Sequence, residues 1–553
     1  MRGFGRRCSA WSMTIVNLVL AGGFNGSQVA FGAAHPGGHM AKRRTARTGG
    51  AKAGENPGPR EIEVKLATDP SQCEQIDRCL RAITDLGNIR EQTLRSTYFD
   101  THDLELRAAG LSFRIRTDGD RRIQTLKATR NGAGAALDRD EWEIDVKGDG
   151  PDPALLPVKR KGRFKVLDKP LAGLFTVHVE RTILPVSVPN AEIEVSVDRG
   201  EVRAGHVTTP FAEVELELKG GAPQALFGFA EKLAGAAPLC LSFITKAERG
   251  YEALAALPPQ RVKAEDIVLP EDMRNADAFR AIAASCLRHL VANERVLRQR
   301  RDPEAVHQIR VALRRLRAAI SIFKDMVSDA RSESVKDELR WITGVLGAAR
   351  DLDIHITTVL EPARKNAPDN EAIRCAIVDA EARRESAYDA AQAALRSRRY
   401  GAAILAAAAW VEAGPWRETD ETAAMRERSV RSFAKSELDR RWRRVRKRAR
   451  NVEELEPEDR HQVRIAMKKL RYAGEFFESL FPGNKARKRR KAVLKTLSGL
   501  QDILGDLNDI AVGSRISESD ALVDPRTQEE RTEELLAAAR QEIDRLEEMK
   551  PFW

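Results

Sequence analysis

Glu61-Ile-Glu63-Val-Lys65 sets two carboxylates and an ammonium group at alternate positions, and alternate positions of an extended chain share one face. The spacing recurs in Arg114 and Arg116, in Glu192, Glu194 and Asp198, and in Glu213, Glu215 and Glu217. Like charges two residues apart repel, so a purely acidic set needs cations facing it and a purely basic set needs anions. For any one strand the ordinary reading is a solvated outer face. Several single-sign strands between residues 60 and 220 point instead to a closed sheet whose polar faces share a lumen. Carboxylates there would hold a hard divalent cation, while Arg and Lys would match phosphate oxygens. The implied ligand is a metal-bound chain of phosphates.

A second pattern lies further along. His307-Gln-Ile-Arg310-Val-Ala-Leu-Arg314-Arg-Leu-Arg317 recurs 154 positions later as His461-Gln-Val-Arg464-Ile-Ala-Met-Lys468-Lys-Leu-Arg471. Phe279 and Phe323 recur at Phe433 and Phe477 with the same offset, and Leu346-Gly-Ala-Ala-Arg-Asp351 parallels Leu504-Gly-Asp-Leu-Asn-Asp509. This is an internal duplication of a helical unit. On a helix His307, Arg310, Arg314 and Arg317 fall on one face, with Ile309, Leu313, Leu316 and Ile320 opposite. A charged stripe opposite a core stripe is usually just solvated. Two stripes without an acid among them imply a polyanion that supplies the missing charge.

The elements that must position these residues differ between the two halves. From Arg60 to about residue 220 the period is mostly two, which predicts strands at Glu61–Leu66, Leu111–Arg116, Glu141–Val146, Ala191–Asp198 and Glu213–Leu218. Helices are expected at Ser71–Leu86 and Pro223–Leu233. A linker over 256–272 separates residues 60–255 from an all-helical region, 273–553, with repeats at about 273–420 and 427–520 and a further exposed helix over Asp524–Lys550.

Composition bounds the rest. The chain has 553 residues, too many for one core, and 42% hydrophobic content suffices for several. With 93 Lys and Arg against 82 Asp and Glu the net charge is +11, so the distribution of charge matters more than its sum. Six scattered cysteines without a CxxC pair argue against thiolate zinc and for free thiols in a reducing, cytoplasmic setting. No stretch has the apolar length of a membrane span. Residues 1–59 carry two readings: a weak signal-like pattern over 1–39, or a true start at Met40. The basic, disordered lead over 41–59 is common to both.

At Glu61-Ile-Glu-Val-Lys65 the sequence resembles the ExExK signature of the CYTH, or triphosphate tunnel metalloenzyme, family. Phe113-Arg-Ile-Arg116, Leu126-Lys127, Arg139-Asp-Glu-Trp-Glu143, Arg181, Val197-Asp198-Arg-Gly200, Val214-Glu-Leu-Glu-Leu218 and Ser242-Phe-Ile-Thr-Lys246 follow in the family's order. The resemblance implies a multidomain α+β protein opening on an eight-stranded antiparallel β-barrel. It also implies hydrolysis at a triphosphate. Lys65, Arg114, Arg116, Lys127, Arg181 and Lys246 would grip phosphate, and Glu61, Glu63, Asp198, Glu213, Glu215 and Glu217 would hold Mg²⁺ or Mn²⁺. Lys65 and a carboxylate such as Glu63 are both candidates for handling the water's proton. Glu141, Glu143, Glu192 and Glu194 stand between metal binding and salt bridges within the lumen.

The repeated His-x-x-Arg segments resemble the CHAD domain, a family of two pseudo-symmetric helical bundles that binds inorganic polyphosphate. That resemblance implies a polyphosphate groove carrying His307, Arg310, Arg314, Arg317, His461, Arg464, Lys468 and Arg471, extended by the basic runs Arg440–Arg450 and Lys485–Lys491. Nucleic acid is disfavoured, because only Trp442 interleaves the first of these runs. The combined expectation is an inorganic triphosphatase. A non-catalytic polyphosphate scaffold and an enzyme for thiamine triphosphate or ATP are the alternatives. No membrane partner is expected.

Overall fold

Period-two alternation becomes a closed barrel. The computed structural model describes residues 60–83, 89–130, 135–148, 150–516 and 525–553, so the leader over 1–59 with its two readings lies outside the described residues. Strands β1 (Arg60–Thr68), β2 (Arg90–Asp100), β3 (Leu111–Asp118), β4 (Arg121–Thr129), β5 (Leu137–Asp145), β6 (Ala172–Val188), β7 (Ala191–Ala204) and β8 (Val207–Gly221) are antiparallel. They run in the order β5-β4-β3-β2-β6-β7-β8-β1, and β1 returns to β5. A short strand β9 (Cys240–Ser242) completes β1, which pairs with β5 through Arg60–Glu63 and with β9 through Lys65–Ala67. Closure leaves no long edge.

Both faces of the barrel are covered. Outside, Val64, Leu66, Val214 and Leu216 bury against α1 (Cys73–Ile83) and α2 (Pro223–Ala236) through Ile76, Leu80, Leu226 and Phe227. The expected end of α1 at Leu86 lies outside the described residues. Phe113, Leu126 and Trp142 pack on Leu156, Phe164 and Leu167. Inside, the lumen has two parts. Val177 and Val179 share a strand face with Arg181, and Val202 shares one with Asp198. Together with Phe175, Phe211 and the Ala247 and Tyr251 side chains of α3 (Lys246–Leu254), these valines form an apolar plug. The charged stretch of the lumen is therefore closed at one end.

Residues 255–274 contain no helix or strand. The helical region follows as α4 (Asn275–Gln299), α5 (Pro303–Ile322), α6 (Ala330–His355), α7 (Glu371–Arg396), α8 (Arg398–Ala413), α9 (Val430–Ala449), α10 (Pro457–Phe476), α11 (Asn484–Ile516) and α12 (Pro525–Glu548), with shorter turns between. Ile309, Leu313, Leu316 and Ile320 are buried, as the helical period requires. The four phenylalanines that the repeat equates meet in the core. Phe323 stacks on Phe433 at 4.8 Å, Phe279 lies 5.5 Å from Phe323, and Phe477 lies 6.1 Å from both Phe323 and Phe433. The two copies thus pack through equivalent residues. Helix α12 departs from the expected exposed helix: Leu535, Ala539, Ile543 and Leu546 form an apolar stripe that is buried in the core.

Barrel and helices share one hydrophobic core. Helix α8 packs on α2 and β9. The carboxylate of Glu412 accepts hydrogen bonds from the Ala135 backbone N–H and from Arg280, both at 2.6 Å. Arg331 pairs with Glu231 at 2.6 Å and Arg295 with Glu252 at 2.8 Å. Cys73, Cys79, Cys240, Cys286 and Cys375 are free. No helix among the described residues is long and apolar enough to cross a membrane.

Candidate functional site

Strand register assembles the charged lumen. Arg181 lies directly opposite Asp198, Asp198 opposite Glu213, and Lys65 opposite Glu215. Opposed residues project to the same face, so charges scattered along the sequence converge in one cavity of about 220 Å³. Glu61, Glu63, Lys65, Arg114, Arg116, Lys127, Arg181, Glu215, Glu217 and Lys246 line it. Asp198 and Glu213 stand behind that surface, fully buried.

At the inner end, three carboxylates meet four cations, of which Arg249 reaches Glu213 at 3.2 Å. Arg181 holds Asp198 through two parallel hydrogen bonds of 2.7 and 2.6 Å, and reaches Glu215 at 2.6 Å. Lys246 Nζ lies 2.6 Å from Asp198 and Glu213 and 2.8 Å from Glu215. Lys65 Nζ lies 3.1 Å from Glu213 and also pairs with Glu215. Burial opposes ionisation of Glu213, but Lys246, Lys65 and Arg249 outweigh it and hold the carboxyl down to about 2. Glu215 is likewise pushed well below its ordinary range by Lys246, Lys65 and Arg181 against the cost of burial. One oxygen from each of Asp198, Glu213 and Glu215 lies within 4.8 Å of the others. An all-oxygen donor set of this kind fits a hard divalent cation.

Toward the open end a second network forms around Arg139. Its guanidinium lies 2.5 Å from Glu63 and 3.0 Å from Glu61, while Lys127 reaches Glu61 at 2.6 Å and Glu141 at 3.1 Å. Burial disfavours the Glu61 charge, and Lys127 and Arg139 bring its pKa down to about 2. At the mouth Glu217 pairs with Lys219 at 2.7 Å, and Glu194 lies 3.4 Å from the same ammonium. Burial raises the Glu217 pKa. The carboxylate oxygens that converge within 4.8 Å are those of Asp198, Glu213 and Glu215, and Lys65 Nζ, 3.9 Å from Glu63, links the two networks. Glu192 is exposed near a register shift at Glu192/Ile193 and accepts from Ser187.

Arg114 and Arg116 carry charge that the lumen leaves unmatched. The carboxylate paired with Arg114 is Glu143, at 4.0 Å. Arg116 has no ion pair among the described residues, and burial together with Arg114 and Arg181 lowers its pKa to about 10. Arg114 is buried and Arg116 half-buried, the Nε of each has no hydrogen-bond partner among the described residues, and positive charge is in excess here. Arg139, Arg249 and Tyr98 line or contact this cavity although the motif reading gave them no role. Arg139 shares a strand face with Glu141 and Glu143, a signal the period alone contains.

In the helical region, the two basic stripes contribute unequally to one cleft. Arg314 and Arg317 from α5 face Lys468 and Lys469 from α10 across about 540 Å³, with Lys324, Lys336 and Arg340 around them and no carboxylate in the lining. His307, Arg310, His461, Arg464 and Arg471 do not line it. Arg310 donates to the Thr343 carbonyl and Arg464 to the Gln501 carbonyl, both at 3.1 Å. Arg471 pairs with Glu475 at 2.5 Å. His307 is half-buried, and burial with Arg350, Arg314 and Arg310 lowers its pKa.

Residues 59–251 match the CYTH domain family and residues 281–516 the CHAD domain family. Over 201 residues the chain is 31% identical to an inorganic triphosphatase of Haemophilus influenzae, covering 36% of this chain and 56% of that protein. It therefore spans little more than half of that relative's length. Among solved structures, the CHAD domain of the plant Ricinus communis is similar at 28% identity, 52% of this chain, 96% of that one and a TM-score of 0.42. A putative adenylyl cyclase from Hippeastrum, described as having a dominant triphosphatase activity, matches 35% of this chain and 95% of its own at 19% identity and a TM-score of 0.26.

Proposed function

Because the chain joins a CYTH domain over residues 59–251 to a CHAD domain over residues 281–516, we propose that its barrel hydrolyses inorganic triphosphate to pyrophosphate and phosphate. The observation that carries this reading is the lining of the charged cavity, most of it Glu, Arg and Lys, with Tyr98 the one aromatic residue among the described residues that line it. Its volume of about 220 Å³ lies below the roughly 300–1,000 Å³ of pockets that bury organic ligands. Thiamine triphosphate or ATP would leave its ring without a platform to stack on.

Asp198, Glu213 and Glu215 would hold Mg²⁺ or Mn²⁺, which when bound supplies positive charge to phosphate oxygens and lowers the pKa of coordinated water. Arg114 and Arg116 take the phosphates that the carboxylates repel. A water oxygen bonds to a terminal phosphorus as the bond from that phosphorus to the bridging oxygen breaks, and pyrophosphate leaves with the bridging oxygen. Lys65, ringed by Glu213, Glu215 and Glu63, is held protonated despite its burial, so its role is to bind charge. The water's proton then falls to a carboxylate such as Glu63.

The helical region binds inorganic polyphosphate on this reading, through the cleft between Arg314, Arg317, Lys468 and Lys469, and the free cysteines fit a cytoplasmic setting. Phosphate release from triphosphate, measured with Mg²⁺ and with Mn²⁺ and repeated on Glu215→Gln, tests the enzyme. Metal-dependent release that collapses in the variant is expected. Absence of release from triphosphate with either metal would leave a phosphate-binding scaffold. Fluorescence anisotropy with labelled polyphosphate tests the cleft, and equal affinity for duplex DNA would reject the assignment.

A further inference from the structure

The apolar plug and the charged stretch of the lumen meet at Tyr98. Its ring stacks on Phe175, with centroids 5.0 Å apart and planes 19° from parallel, and Tyr251 closes edge-on against Phe175 at 5.2 Å. Gly250 permits this packing, since a Cβ there would fall 1.8 Å from the Phe175 ring. The phenol ring is thereby fixed. The β2–β3 register sets Tyr98 directly opposite Arg114, so the hydroxyl projects to the face that carries the guanidinium.

A phenolic hydroxyl donates one hydrogen bond and accepts others. Arg114 Nη1 donates to Tyr98 from 3.5 Å, a long contact. The proton of Tyr98 itself meets no acceptor among the described residues, although the side chain is only 5% exposed. The charged groups that act on it, Arg114, Lys246 and Arg116, are all cations. Tyr251 has the opposite surroundings and donates to Asp100 at 2.7 Å. A buried O–H without an acceptor is costly, and one facing three cations stands where negative charge is missing.

We infer that Tyr98 is a catalytic residue, donating a hydrogen bond to an oxygen of the innermost phosphate gripped by Arg114 and Arg116. This rests on the reading of the lumen as a phosphate-chain site. The bond strengthens as charge builds on that oxygen during cleavage, and the phenol keeps its proton throughout. Recognition by Tyr98 therefore selects an inner group bearing acceptor oxygens and excludes one that presents only donors or carbon.

Tyr98→Phe keeps the ring stack and removes only the hydroxyl. With Mg²⁺ present, kcat/KM for triphosphate should fall roughly 10- to 100-fold, the range a hydrogen bond to a charged group spans, with unchanged thermal unfolding. A spectrophotometric tyrosinate titration gives an independent readout. Burial opposes ionisation of Tyr98, but Arg114, Lys246 and Arg116 outweigh it, whereas Tyr251, Tyr388 and Tyr400 are pushed upward. A tyrosinate transition ahead of theirs should be lost in Tyr98→Phe, and inorganic triphosphate without metal should move the wild-type transition to higher pH. Unchanged turnover in the variant, or a transition that triphosphate does not move, would each overturn the assignment. A wild-type protein that turns over no triphosphate would defeat the hydrolase reading instead, while the titration still reports whether triphosphate sits beside the phenol.

Discussion

Arg181 and Asp198 face each other across the β6–β7 pair and meet fork to fork, Nε to Oδ1 at 2.7 Å and Nη2 to Oδ2 at 2.6 Å. Asp198 has no exposed surface, and its remaining cation is Lys246. Lysine in place of Arg181 would keep the charge and lose both the fork and the reach to Glu215. Arg181→Lys should lower kcat/KM for triphosphate by about tenfold to a hundredfold and destabilise the fold by about 1–3 kcal/mol. Phosphate-release kinetics and denaturant unfolding read the two effects. A variant with wild-type turnover would remove Arg181 from the site.

Asp198, Glu213 and Glu215 were legible because alternation puts them on one face wherever the strands sit. Their mutual approach depends on register between β7 and β8, which sequence spacing does not contain. Arg139 stood in the Arg139–Glu143 motif without a role, because its partners, Glu61 and Glu63, lie across the β1–β5 seam that closes the barrel. Tyr98 escaped because β2, Arg-Glu-Gln-Thr-Leu-Arg-Ser-Thr-Tyr-Phe-Asp, has no clean alternation: the face that carries Tyr98 mixes polar and apolar residues, Gln92, Leu94, Ser96 and Asp100. The repeated basic stripes were visible in full. Their division into Arg314, Arg317 and Lys468 in the cleft, and Arg310 and Arg464 on backbone carbonyls, required the packing of neighbouring helices.

Acid should unfold the barrel before it protonates ordinary surface carboxyls completely. Glu61 and Glu213 have folded values of about 2 against an ordinary 4.5. Their contribution is full above 4.5 and is lost as pH falls toward 2, because the unfolded chain takes up the protons first. Glu213 alone accounts for roughly 3 kcal/mol of that loss. Thermal unfolding followed from about pH 6 to about pH 2 should show a steep decline that is shallower in Glu213→Gln. Parallel profiles would contradict the pairing.

Glu294 gives the opposite slope. It is buried beside Tyr400, which donates to it at 2.9 Å, and Arg298 at 3.3 Å. Burial raises its pKa to about 7, more than Arg298, Tyr400 and Arg295 lower it. The folded chain therefore keeps a proton that the unfolded chain releases above 4.5, so stability falls as pH rises from 4.5 to 7. Glu294→Gln keeps an acceptor for Tyr400 and removes the titration. The variant should gain on wild type by about 3 kcal/mol between pH 4.5 and pH 8, as read by denaturant unfolding at both. A gap independent of pH would show that the carboxyl stays ionised.

Arg310 and Arg464 occupy equivalent places in the two copies, and each passes over a glycine of the facing helix. A Cβ at Gly347 would lie 3.1 Å from an Arg310 nitrogen, and one at Gly505 2.9 Å from an Arg464 nitrogen. Both glycines follow the bonded carbonyls, Thr343 and Gln501, by one helical turn. Alanine there would displace the guanidinium rather than the backbone, because the atom it meets ends a flexible side chain. Gly347→Ala and Gly505→Ala should therefore leave thermal unfolding within about 1 kcal/mol of wild type. If the anchored arginines orient the basic stripes, each substitution should weaken polyphosphate binding several-fold, and the double variant more than either. Anisotropy with labelled polyphosphate measures this, and undiminished affinity in the double variant would confine binding to the cleft of Arg314, Arg317, Lys468 and Lys469.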